Sequence, residues 1–90
     1  MFDFDVSDEL KFVIKRLIKK DKKRLMILNK KIKEVINNDS ETIDRYKNCK
    51  YDQKEYKRVH IDKSFILLFK VTKEKSHILF IKLGHHEDIF

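Results

Sequence analysis

The hydrophobic pattern of this chain changes period twice. Phe2, Phe4 and Val6 alternate with acidic residues, the period of two that predicts a short strand with one apolar face. Leu10, Val13, Ile14, Leu17 and Ile18 then recur at spacings of three and four, which predicts an amphipathic helix. Ser7 suits its N-cap, and Asp8 and Glu9 place negative charge in the first turn, where the helix dipole favours it. Asp21 can cap a second helix with apolar positions at Leu25, Leu28, Ile32, Val35 and Ile36. Asn37, Asn38, Asp39 and Ser40, all turn-formers, close it.

Residues 41–53 are polar, with Ile43, Tyr46 and Tyr51 as their only large apolar anchors, and are expected to be the most mobile part of the chain. From Tyr56 onward the period returns to two. Residues 56–61 alternate, and two nearly continuous apolar runs rich in branched and aromatic side chains follow at 65–71 and 78–83. The connections at 62–64 and 72–76 are long enough only for hairpins, so these three strands form an antiparallel meander. The order is strand, helix, helix, strand, strand, strand: an α+β fold with a helical hairpin packed on one face of an antiparallel sheet. A meander brings the end of the His60 strand, the 62–64 turn and the exit at Gly84 to one edge. Two strand spacings, roughly 10 Å, then separate His60 from Gly84, His85 and His86.

Ninety residues are expected to make one small domain. Charged residues make up 41% of them and the formal net charge is +7, which points to an anionic partner, nucleic acid first. Lysines at 11, 15, 19 and 22, with Arg16, Lys20 and Lys23, load the outer side of the first helix and the turn after it. Cys49 is the single cysteine, so a disulfide framework is excluded. The acidic, aromatic start lacks the pattern of a signal peptide and no apolar run approaches a membrane span, so a cytoplasmic protein with no membrane partner is expected.

The stretches 56–62 and 65–71, with the ending Gly84-His85-His86-Glu87-Asp88-Ile89-Phe90, resemble the RelE/ParE superfamily of type II toxins, and most of all its YafQ-like branch. That ending has the family form of Gly, any residue, His, two residues, aliphatic, Phe. The resemblance implies a RelE-like fold and a toxin that cuts mRNA in the ribosomal A site. It also implies a cognate acidic antitoxin wrapped around the toxin, with operator DNA contacted only through that complex. His60 and His86 match the branch's two catalytic histidines and Phe90 its terminal aromatic. Ser64 stands where the family carries an acidic residue, Phe65 where an aromatic is usual, and Lys47 and Lys50 occupy the region of a further loop histidine.

The chemistry agrees with this on its own terms. RNA is cleaved without metal or cofactor when its 2′-hydroxyl attacks the adjacent phosphorus, given a base, an acid for the leaving 5′-oxygen, and cations around the phosphoryl group. Histidine serves either proton transfer near neutral pH, so His60 and His86 are the candidate pair, with the division of roles open. Lys54, Lys57, Arg58 and Lys63 are candidates to hold phosphates, Arg58 in bidentate fashion. Phe90 can stack on a base, and His85 is a candidate RNA contact. Residues 85–88 could also be read as metal ligands, but adjacent residues of an extended chain point opposite ways and no spaced His or Cys completes a set. Two other functions fit the same composition: a ParE-like, non-catalytic toxin that inhibits DNA gyrase, and a basic nucleic-acid-binding module.

Overall fold

The fold is that of a computed structural model, which describes residues 1–49 and 55–85. Its elements are β1 (Asp3–Val6), α1 (Asp8–Lys20), α2 (Lys22–Ile36), a 3-10 turn (Thr42–Arg45), β2 (Lys57–His60), β3 (Phe65–Thr72), a second 3-10 turn (Lys73–Lys75) and β4 (His77–His85). Both helix starts form as the sequence expects. The Ser7 side chain accepts the Leu10 N–H, and the Asp21 side chain accepts the Arg24 N–H while its own backbone N–H closes α1 on the Leu17 carbonyl. Asp21 therefore ends one helix and begins the next, which makes the helical hairpin tight. The β3–β4 connection turns on Ser76 in the left-handed region (φ 48°).

The four strands form one sheet in the order β1-β4-β3-β2. β2, β3 and β4 are the expected antiparallel meander, and β1 joins it parallel to β4. The helices cover one face. Leu10, Leu28, Ile32 and Val35 are buried there against Leu67, Phe69, Ile78, Phe80 and Leu83, with Phe2 and Ile43 closing the sides. A bulge at Ile81 shifts the β3–β4 register, so that Leu68 opposes Lys82 whereas Phe69 opposes Phe80. Because of this extra residue Phe80 and Leu83, three apart, both face the core, and Lys82 and Gly84 are left on the opposite face. The Ser7 hydroxyl donates to the Ile81 carbonyl that the bulge displaces.

Two expectations change. Ile18, assigned to the core stripe of α1, is half exposed, because it falls at the margin of the stripe set by Leu10, Val13, Ile14 and Leu17 and turns toward Phe12 and Lys15 on the outer side. Residues 41–49 are anchored rather than loose. Ile43 is buried, the Tyr46 ring meets Phe69 edge-on at 5.6 Å, and Asn48 bridges to Lys57 alongside β2.

Candidate active site

The register fixes which side chains share a face, because directly opposed residues of neighbouring strands project the same way. Ile66 and Leu68 lie on the face away from the helices, where they pack with Cys49 and Tyr56. His60 opposes Ile66, which opposes Gly84, and Arg58 opposes Leu68, which opposes Lys82. Two rows thus cross the open face, His60-Ile66-Gly84 and Arg58-Leu68-Lys82. The first reproduces the two-strand spacing, roughly 10 Å, expected between His60 and the Gly84 exit.

Beside β2 runs a shallow groove of about 280 Å³ lined by Arg45, Tyr46, Lys47, Arg58, Val59 and His60. Its charged lining is entirely basic. The Arg58 N–H donates to the Lys47 carbonyl at 3.0 Å and the Cys49 N–H to the Tyr56 carbonyl at 2.8 Å, so the 47–49 segment is tied to β2 and forms the outer wall. Burial pushes the Cys49 thiol up, against the opposing pull of Arg58, so Cys49 is a neutral packing residue here. Arg45 and Lys47 escape sequence reasoning because only this lateral pairing brings them to His60. Lys82 escapes it because its face depends on the bulge.

The candidate phosphate ligands divide. Arg58 lies on the open face, and Lys63 is exposed in the turn just after the His60 strand. Lys57 points the other way. It is only 9% exposed, and its ammonium donates to Asn48 Oδ1 at 2.9 Å and the Tyr46 carbonyl at 3.2 Å, with Asp44 at 3.7 Å. That geometry occupies the cation inside the protein, as alternation along the strand requires once Arg58 faces out. His85 opposes Phe65, and its ring meets the Phe65 ring edge-on at 5.5 Å, on the helix side of the sheet rather than the His60 side. His86, Phe90 and Lys54 lie outside the described residues, as does Lys50.

The turn that follows His60 is built on Asp62. Its Oδ1 accepts the N–H groups of Ser64 and Phe65 at 2.9 and 3.0 Å. Burial pushes the carboxyl up, but these two donors and the neighbouring Arg24 guanidinium outweigh it and hold Asp62 below the ordinary carboxylate range. Among the described residues no group of three or more His, Cys, Asp or Glu side chains gathers as metal ligands, and no helix is long and apolar enough to cross a membrane.

A strand, a helical hairpin and a three-stranded meander make up the RelE/YafQ-like toxin fold, and solved structures share it. The YoeB–YefM complex of Staphylococcus aureus matches with a TM-score of 0.75 at 20% identity, covering 96% of this chain and 98% of that one. YafQ of E. coli matches with a TM-score of 0.63 at 23% identity, covering 100% and 99%. In sequence, a protein of Methanocaldococcus jannaschii named as toxin RelE4 is 34% identical over 90 residues, all of this chain and 92% of its own length. No family profile matches the chain. The chain belongs to the RelE family of type II toxins, and is the toxin of a toxin–antitoxin system.

Proposed function

We propose that this toxin is an endoribonuclease that cuts mRNA on the ribosome, with the cut made at the sheet edge shared by the end of the His60 strand and Gly84. The observation that carries the reading is the His60-Ile66-Gly84 row lying beside a groove that His60 shares with Arg45, Lys47 and Arg58. A single RNA strand laid along such a groove meets cations for its phosphates before it reaches the histidine. His60 and His86 then exchange protons with the 2′-hydroxyl and the leaving 5′-oxygen. Arg58, Lys63 and Lys82 stabilise the phosphoryl oxygens, and Lys54 and Phe90 add contacts to the RNA. Lys57 takes no part in this chemistry, since its ammonium is engaged by Asn48 and Tyr46.

The antitoxin is a small acidic chain. Its seat is the outer side of α1, where Phe12 stands 64% exposed in a shallow depression it shares with Lys15, Arg16, Lys19 and Lys20. An acidic amphipathic segment matches both the exposed ring and the surrounding cations. YoeB of Staphylococcus aureus, a chain of the same fold, is solved in complex with a partner, YefM.

Translation of a defined mRNA in a reconstituted system tests the proposal. Arrest accompanied by cleavage of the message only when ribosomes are present supports it. Arrest without cleavage, or inhibition of gyrase supercoiling in a parallel assay, shifts the reading to a non-catalytic toxin.

A further inference from the structure

One side chain of the helical hairpin reaches the turn that follows His60 and the first residue of β3. Arg24, in the first turn of α2, places its guanidinium 4.1 Å from the centre of the Phe65 ring. Its Nε reaches Asp62 Oδ2 at 3.4 Å, and Nη1 pairs with Asp21 Oδ2 at 3.1 Å. The Phe65 ring also meets the His85 ring edge-on. Asp21, Arg24, Phe65 and His85 therefore form an unbroken chain of contacts from the corner of the helical hairpin to the end of β4. Asp62 is attached to the middle of it.

Asp62, Phe65 and His85 are each tied to a strand end. Asp62 follows His60 by two residues and holds the hairpin turn through the Ser64 and Phe65 N–H groups. Phe65 opens β3, and its carbonyl accepts the Ile61 N–H at 3.1 Å. His85 closes β4 and directly precedes His86 in sequence. We propose that Arg24 is a positioning residue: it braces the His60 strand end and the His85 strand end against each other and against the helices, so that His60 is held in place at the edge of the sheet. This inference rests on the nuclease reading for its consequence in rate, and on the chain of contacts alone for the brace itself.

The residue type matters for a physical reason. A guanidinium is planar and delocalised, so it can lie on an aromatic face and still donate in its own plane to two carboxylates. An ammonium can pair with Asp21 or Asp62 but has no flat face for Phe65. Arg24→Lys therefore keeps the charge and loses the stack, and Arg24→Gln keeps a long helix-compatible stem and loses both.

Two readouts are needed. In single-turnover cleavage on saturating ribosomes, with rates referred to the folded fraction, both variants are expected to lose about ten- to a hundredfold in rate, the range that misplacing a catalytic group by about 1 Å produces. Their affinity for the ribosome should stay within about threefold of the parent, a split between rate and binding that loss of folded protein does not give. In the free toxin, NMR should show the His85 imidazole signals moving as the Phe65 ring loosens. Amide exchange at Ser64 and Phe65 should quicken in both variants while the amides pairing β1 with β4 hold. Parental cleavage rates in folded variants overturn the inference, and so do unchanged His85 signals together with unchanged exchange at Ser64 and Phe65. A parent toxin that cuts no message sinks the nuclease reading instead, and the NMR comparison then decides the brace by itself.

Discussion

Lys57→Met separates a structural cation from a functional one. Lys57 belongs to the same strand as Arg58 and His60 and carries the charge an RNA site would use, yet its ammonium is buried against the Tyr46 carbonyl and Asn48 Oδ1. Methionine keeps the apolar stem beside Phe69, its cross-strand neighbour, and removes only the two charge-assisted hydrogen bonds. Each such bond contributes about 1.5–3 kcal/mol in mutational comparisons, but Asn48 is exposed and its oxygen can return to water, so the net loss is set at the lower end, about 1.5–3 kcal/mol for the pair. The ion pair to Asp44 adds little, because that carboxylate is exposed. For a domain of this size such a loss lowers Tm by roughly 6–24 °C. Thermal melts and urea titration give the stability, and cleavage is compared at a temperature where both proteins are fully folded. The expected outcome is a lower Tm with parental cleavage and parental ribosome affinity. A variant with the parent's Tm that nonetheless binds ribosomes tenfold more weakly would show that Lys57 reaches RNA and that its internal bonds are incidental.

Two further outcomes are expected. The Asp62 carboxyl is held below its ordinary value of 3.8, so it contributes stability that is fully present above that pH and is lost as pH falls through its folded value. Asp62→Asn should accordingly cost about 1–2 kcal/mol at neutral pH and flatten the acid limb of the stability profile below pH 4, and an unchanged acid limb in urea titrations would exclude the assignment. At the other surface, Phe12→Ala should weaken binding of the acidic antitoxin by about ten- to a hundredfold while leaving cleavage by the free toxin intact; calorimetry showing undiminished affinity would move the partner off α1.

Much of the architecture is legible in the sequence because local signals there agree with one another. Ser7 and Asp21 cap the helices they precede, the spacing of Leu28, Ile32 and Val35 marks the buried stripe, and the short connections allow only a meander. The His60–Gly84 adjacency follows from that meander without any side-chain detail. What the sequence conceals is lateral. Residues 78–81 are apolar without alternation, so nothing in them announces the bulge at Ile81 that puts Lys82 and Gly84 on the open face. The 47–49 segment reads as polar loop, and only its pairing with Tyr56, Lys57 and Arg58 carries Arg45 and Lys47 to the groove. The opposite fates of Lys57 and Arg58 illustrate the same limit. Alternation says that they diverge, but which one faces outward depends on which neighbouring residue of β3, Leu68 or Phe69, meets the helices.

The central claim is that the cut is made by the RNA's own 2′-oxygen between His60 and His86. End-group analysis of message cleaved on the ribosome tests it most directly, performed with the parent, His60→Ala and His86→Ala, all checked for folding and antitoxin binding. The account expects 2′,3′-cyclic phosphate and 5′-hydroxyl ends from the parent, and a loss of about a hundred- to ten-thousandfold in rate for each variant, the usual cost of removing a general acid or base. Products that end in 5′-phosphate, or full cleavage by both alanine variants, would contradict it.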